Sequence, residues 1–246
     1  MLSKSDIKYI QSLSHKKFRD QEGLFIVEGL KMVDELLKEH QQKVRKIFAV
    51  REWLDKHQTD IHASISTQAV EEFELSKISS QKTPQQVMAL VEIPLNPIKS
   101  YKPTGLTLVL DRIQDPGNLG TIIRTCDWFG VTEIVCSADT VDVFNSKVVQ
   151  SAMGSILRVH VYYTELTDFI RLHKDMPSYA AVLGGTSIHE IDVKQPAFLI
   201  IGNESAGISN ELLQLNPFQI SIPKIGKAES LNAAVAASII LSACMK

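Results

Sequence analysis

The sequence is short of the features that announce common chemistries. Its 246 residues contain no G-x-G-x-x-G and no G-x-x-x-x-G-K-[ST], so the usual dinucleotide and nucleotide-phosphate loops are absent. It has no H-E-x-x-H pair and no C-x-x-C, which leaves neither of those zinc signatures. Cysteine is scarce: Cys126, Cys136 and Cys244 form an odd, widely spaced set that suits a reducing cytoplasm better than a disulfide framework. No run approaches the roughly 18–20 apolar residues of a membrane helix, and the opening "MLSKSDIKYI" has no apolar signal-peptide region. The expectation is a cytoplasmic protein with no membrane part.

Charge of one sign is also lacking. The formal net charge is -2, so charge alone does not mark a nucleic-acid binder. Residues 1–102 carry 16 Lys plus Arg against 14 Asp plus Glu, whereas residues 103–246 carry 10 against 14. The start is locally basic, with Lys4, Lys8, Lys16, Lys17 and Arg19 against Asp6 and Asp20. Such a patch reads as a solvated helix face or as a phosphate contact.

What is present is ordinary in amount and specific in order. Hydrophobic residues make up 44% and charged residues 22%, enough for a real core in one large or two modest domains. The first part alternates helix-like "IKYIQSLSHKKFR", "LKMVDELLKEH", "REWLDKH" and "QAVEEFEL" with strand-like "GLFIVEG", "VRKIFAV", "HASIS" and "VMALVEI". The proline-rich "IPLNPIKSYKPTG" then reads as a linker. Residues 1–95 are expected to form one domain, 96–105 the linker and 106–246 the second domain. That domain reads as βα units whose strands are continuous apolar runs, as in a parallel sheet buried on both faces. Its helices are expected at 118–129, 145–156, 167–175 and 208–214. The last helix, "SLNAAVAASIILSAC", is apolar all round, which fits a monomer core or a subunit interface.

Three strand ends carry polar residues beside glycines, where ligands sit in open α/β sheets. "LTLVLDRIQDPGNLGTIIRTCDWFG" gives Asn118 at an expected helix N-cap. On the helix that follows, Arg124 and Trp128 lie opposite an apolar arc of Ile122, Cys126 and Phe129. "FLIIGNESAGIS" gives Gly202, Asn203 and Glu204, and Glu204 alone could be a mere cap for the next helix. "FQISIPKIGKAESLNAAVA" gives Ser230 at an expected N-cap and Asn232 in the first turn. No Cys–His nucleophile pair accompanies them. The set suits a site that binds and orients, with the hard chemistry brought by a cofactor.

The motifs "QDPGNLGTIIRTCDWFG", "IIGNESAGIS" and "ISIPKIGKAESLNAAVAAS" resemble, in order and spacing, the three signatures of the SpoU, or TrmH-like, RNA 2'-O-methyltransferases. "HKKFRDQEGLFIVEGLKMVDELL" is similar to that family's N-terminal RNA substrate-binding domain, of L30e-like α/β fold. The resemblance implies an α/β fold whose parallel-sheet domain carries a deep C-terminal trefoil knot. It implies S-adenosyl-L-methionine bound bent in a pocket of Gly202, Ile222 and Leu231, with Leu183 added, and no metal. It implies a homodimer with the active site at the subunit interface and RNA, most of all ribosomal RNA, as substrate. By motif position Asn118 organises the site and Arg124 helps activate the ribose 2'-hydroxyl, with Glu204, Ser230 and Asn232 completing the catalytic set. An arginine stays protonated in proteins, so a contact with RNA phosphate or developing charge suits Arg124 better than a base. The family often has V-V-R-A-S-M-G where this chain reads "VVQSAMG", so Gln150 and Ala152 depart from it. Methylation of a tRNA ribose or of an RNA base, or a non-catalytic RNA-binding protein of the same fold, are the competing readings. A nicotinamide oxidoreductase lacks its glycine fingerprint.

Overall fold

The computed structural model describes residues 1–245 and divides into two compact units. Unit 1 comprises Met1–Leu95 with Phe144–Gly154, and unit 2 comprises Asn96–Val143 with Ser155–Lys246.

Unit 1 opens with α1 (Lys4–Ser12) and α2 (Lys16–Glu22) rather than the single helix its pattern suggests. A capping box starts α1, with Ser3 and Asp6 exchanging side-chain and backbone hydrogen bonds. The break follows from Arg19, whose buried Nη1 donates to the Leu13 and Ser14 carbonyls at 2.9 and 2.8 Å. Arg19 therefore satisfies carbonyls left by the interrupted helix and does not belong to an exposed basic patch. The sheet is mixed, in the order β1-β4-β2-β3, from β1 (Leu24–Glu28), β2 (Val44–Ala49), β3 (Ser66–Ala69) and β4 (Val87–Glu92). The third strand lies later than "HASIS", because Lys46–Ala49 pairs in parallel with Ser66–Ala69. The helices α3 (Leu30–Glu39), α4 (Arg51–Lys56) and α5 (Glu72–Ile78) complete the unit.

The segment 144–154 departs from the expectation of an uninterrupted second domain. Its Phe144 ring packs 4.7 Å from that of Phe25, and its helix α7 (Ser146–Ala152) lies against β1. That packing buries an aromatic that would otherwise leave apolar surface in water.

Unit 2 is a six-stranded sheet, all parallel, in the order β10-β8-β9-β5-β6-β7. The strands are β5 (Leu106–Leu110), β6 (Glu133–Cys136), β7 (His160–Tyr163), β8 (Ser178–Ser187), β9 (Ala197–Ile201) and β10 (Phe218–Ser221). Every residue of β5 and β9 is buried, as their unbroken apolar runs require of central strands covered on both faces. Thr107 is the polar exception in β5, and its hydroxyl bonds that of Tyr101 at 2.9 Å. The covering helices are α6 (Pro116–Trp128), α8 (Leu166–Leu172), α9 (Asn210–Leu213) and α10 (Ala233–Cys244). Strand β5 has β6 on one side and β9, formed much later in the chain, on the other. That reversal of strand order makes a crevice at the strands' carboxyl ends.

Two caps differ from the sequence expectation. Helix α6 begins at Pro116, with Asp115 as N-cap accepting from the Asn118 amide at 2.8 Å. Proline suits the first helical position because its missing N–H has no partner to lose there. Helix α10 begins at Ala233, capped by Asn232, whose Oδ1 accepts from the Ala234 and Val235 amides at 3.0 and 3.3 Å. Ser230 therefore stands outside the helix, in an exposed loop. Nor is α10 covered all round within the chain. Ala234, Ala237 and Leu241 are buried, while Val235 and Ile239 are 47% and 37% exposed.

Candidate active site

The site grows from the register of β5 and β9. Leu110 lies opposite Ile201, and the Asp111 amide continues the ladder by donating to the Ile201 carbonyl at 2.9 Å. Both chains then leave the sheet side by side. Buried Asp111 accepts from the Ser209 amide at 2.7 Å and from Arg112 Nε at 3.2 Å. Arg112 takes a left-handed backbone at φ 58°, and its carbonyl accepts from Asn203 Nδ2 at 2.9 Å. The loop after β9 closes on itself, with Asn203 and Gly207 exchanging both backbone hydrogen bonds. Asn203 Oδ1 also accepts from the Ser205 and Ala206 amides. A Cβ on Gly202 would sit 2.3 Å from the Gly207 carbonyl carbon, so the backbones approach as closely as only glycine permits.

Against this loop the three motifs meet. Asn118, in the first turn of α6, donates from Nδ2 to Glu204 Oε1. Its Oδ1 accepts from Asn232 Nδ2 at 2.8 Å. Each amide is thereby fixed in orientation: Asn232 by the helix it caps, Asn118 by partners on both sides. Glu204 does not cap a helix, because α9 starts at Asn210 behind Ser209. A carboxylate receiving a side-chain amide across 86 positions is a tertiary arrangement, not a local turn.

Beside the network lies a cavity of about 870 Å³ in unit 2. Leu183, Gly202, Ile222 and Leu231 all line it, as do Glu204 and Ser230. Asn118, Arg124 and Asn232 do not. Arg124 is exposed on α6, facing away from buried Ile122, Ile123 and Cys126, and its side chain makes no hydrogen bond or ion pair with another described residue. On the next turn of that face Trp128 is 85% exposed. Helix α10 packs against α6, where the Thr125 and Ser238 hydroxyls lie 3.1 Å apart.

Burial pushes the Cys126 and Cys136 thiols far above their ordinary range, so neither is a thiolate nucleophile. Among the described residues no group of three His, Cys, Asp or Glu side chains is gathered to hold a metal ion. No helix of the described residues is long and apolar enough to cross a membrane. Asp111 and Arg112 escaped the sequence reading, although charged residues directly after a fully buried strand were the available signal.

These features define an α/β protein with a cavity beyond the carboxyl ends of the parallel strands β8, β9 and β10, and with a polar network beside it. Comparison with known proteins makes the class specific. The SpoU rRNA Methylase family matches residues 105–242, and an MRM3-like substrate binding domain matches residues 4–89. The chain belongs to the SpoU rRNA methylase family. It is 34% identical to the 23S rRNA (guanosine(2553)-2'-O)-methyltransferase RlmP of Bacillus subtilis (strain 168), over 96% of this chain and 94% of that protein. Among solved structures it is similar to an AdoMet-bound rRNA methyltransferase from Sinorhizobium meliloti, with TM-score 0.88 and 32% identity over 99% of this chain and 95% of the other. A TrmH-family RNA methyltransferase structure from Porphyromonas gingivalis gives TM-score 0.85 and 35% identity over 99% and 98%.

Proposed function

We propose that this protein is an S-adenosyl-L-methionine-dependent methyltransferase that acts on a ribose 2'-hydroxyl of ribosomal RNA, as a cytoplasmic homodimer. The observation that carries the reading is the Asn232–Asn118–Glu204 chain of hydrogen bonds, which joins three separate motifs at the rim of one cavity. The relative from Bacillus subtilis is named for ribose methylation of 23S rRNA, and the solved relative from Sinorhizobium meliloti is an rRNA methyltransferase with AdoMet bound.

The cavity suits that cofactor. Its volume falls within the roughly 300–1,000 Å³ of small-molecule pockets, with apolar walls at Leu183, Ile222 and Leu231 for a nucleoside. The carboxylates Glu204 and Glu229 at its edge match a cationic sulfonium and ammonium. Bound there, the cofactor supplies a methyl group already activated by positive sulfur. The chain is left to align the ribose oxygen and to raise its nucleophilicity. In this reading Gly202, Ile222, Leu231 and Leu183 hold the cofactor. Asn118 and Asn232, fixed by each other, orient the reacting groups. Glu204 presents a carboxylate to them, and Ser230 offers a hydroxyl at the mouth. Arg124 keeps its proton and engages RNA phosphate or the charge developing on the 2'-oxygen.

Arg124 stands apart from that network in one chain, and Trp128, Val235 and Ile239 are exposed apolar groups on α6 and α10. A second copy packed on this face would cover them and complete the site at the interface. Residues 1–95 would bind the RNA substrate, 96–105 link, and 106–246 form the methyltransferase with a trefoil knot near its C-terminus. The likeness along nearly the whole chain supports that organisation, with Phe144–Gly154 packing in unit 1 as an addition to it.

The test is incubation of the purified protein with methyl-labelled cofactor and total RNA from a strain lacking the gene, followed by separation of ribosomal RNA from tRNA and mass mapping. A single ribose methylation that blocks alkaline cleavage at its own nucleotide is expected. Label on a base, or only in tRNA, would replace the substrate assignment. Cofactor binding without transfer to any RNA would favour the non-catalytic alternative.

A further inference from the structure

We infer that Lys224 is the carboxylate-binding residue of the cavity, clamping the amino-acid end of the cofactor. This rests on reading the cavity as an S-adenosylmethionine pocket and assigns a specific group of that ligand to a specific side chain.

The inference comes from accounting for charge and donors. The charged side chains lining the cavity are Glu204, Glu229 and Lys224, so Lys224 is the single cation among the described lining residues. The ligand carries a sulfonium, an ammonium and one carboxylate. The two anions match its positive groups, and its carboxylate requires a cation or a cluster of free amides. Two sets of nearby amides are already engaged, which leaves Lys224 as the charged partner on offer. In the loop after β9, the Asn203 and Gly207 amides bond each other's carbonyls, and the Ser205 and Ala206 amides bond Asn203 Oδ1. The N-terminus of α10 is the other anion-attracting feature, and its Ala234 and Val235 amides are capped by Asn232. Lys224, by contrast, makes no hydrogen bond or ion pair with another described residue. It follows β10 directly, three residues beyond Ser221, on an exposed segment that also carries Lys227. Lys227 does not line the cavity. The flexible four-carbon stem of lysine lets such a rim residue fold over a ligand end that reaches solvent.

The experiment compares two probes by calorimetry on the full-length protein. S-adenosylhomocysteine has the amino-acid end, whereas 5'-methylthioadenosine keeps the nucleoside and the sulfur and lacks the carboxylate. Wild-type binding of S-adenosylhomocysteine tests the pocket reading itself. Lys224→Met is expected to weaken S-adenosylhomocysteine about five- to tenfold and to leave 5'-methylthioadenosine within twofold, the scale of one partly exposed charge-assisted contact. Lys224→Arg should recover most of the loss, because it restores the charge. Equal weakening of both probes would overturn the assignment, since Lys224 would then only shape the pocket. Unchanged cofactor affinity with weakened RNA binding would overturn it too, making Lys224 a phosphate contact.

Discussion

The two halves of helix α6 behave as opposites. Its first turn is tied into the molecule: Asp115 caps the Asn118 amide, and the Asn118 side chain bonds both Glu204 and Asn232. Two turns later Arg124 has no partner among the described residues, and Trp128 stands almost fully in water. A surface arginine needs no explanation, but an 85% exposed tryptophan does, and the neighbouring helix α10 adds the exposed apolar side chains of Val235 and Ile239. The contrast teaches that one chain by itself holds the Asn232–Asn118–Glu204 network in place. In the proposed function that network orients the ligand, while Arg124, assigned to the ribose oxygen, awaits the second copy of the proposed dimer.

The largest effect should come from the bare half. Arg124→Ala removes no core contact, so the protein should fold and bind S-adenosylhomocysteine within a few-fold of wild type. Single-turnover methylation of ribosomal RNA at saturating cofactor should fall by about a hundredfold or more, the usual scale for a group acting in the transition state. Arg124→Lys should rescue little, because a point charge lacks the planar fork. Near-normal turnover by the folded variant would return Arg124 to the status of a surface residue and erase the contrast.

The tied half should respond differently. Asn118→Ala removes one donor and one acceptor from between Glu204 and Asn232. Turnover is expected to drop about tenfold or more, with a loss of about 1–2 kcal/mol in chemical denaturation from the unsatisfied partners. A stable variant with full activity would show that the network decorates the cavity rather than serving it. Assembly comes next. Ile239→Glu places a charge on the exposed face of α10, which should leave the monomer fold intact and raise the dimer dissociation constant about tenfold or more by light scattering. An unchanged dimer would move the interface elsewhere.

Legibility in the sequence followed the same division. The parallel sheet was readable because β5 and β9 are buried on both faces, which demands unbroken apolar runs such as "LTLVL" and "AFLII". The side of α6 that faces the core was readable from helical periodicity, and Ile122 and Cys126 are indeed buried. The caps were not. Asn118 and Ser230 have the chemistry of N-caps, yet Asp115 and Asn232 take those places. Pro116 fits the first helical position after Asp115, and Asn232 has amides two and three residues ahead that no other side chain satisfies. A cap is decided by competition between neighbours separated by fractions of a kcal/mol, which composition does not resolve. The break between α1 and α2 was hidden for a related reason. It depends on buried Arg19 reaching back to two carbonyls, and a basic residue in a basic stretch reads as solvated. The affinity of 144–154 for unit 1 is a long-range contact between Phe144 and Phe25, invisible to any local pattern.

The smallest effect should come from the seam between α6 and α10, where the tied and bare halves meet. The Thr125 hydroxyl is 2.9 Å from the Thr121 carbonyl, the Ser238 hydroxyl is 2.7 Å from the Ala234 carbonyl, and the two hydroxyls are 3.1 Å apart. Three close oxygen–oxygen contacts converge there, but two hydroxyls carry only two protons. When both donate within their own helices, the contact between them has no proton left, and when one donates across, a helix carbonyl loses its second bond. Thr125→Val keeps the shape and removes one proton and its share of this exchange. The expected cost is therefore within about 1 kcal/mol, seen as a small drop in melting temperature, with S-adenosylhomocysteine affinity and turnover unchanged. A loss of activity without a loss of stability would show that this hydroxyl pair sets the angle between the helices, and that the network at one end of α6 is felt by Arg124 at the other.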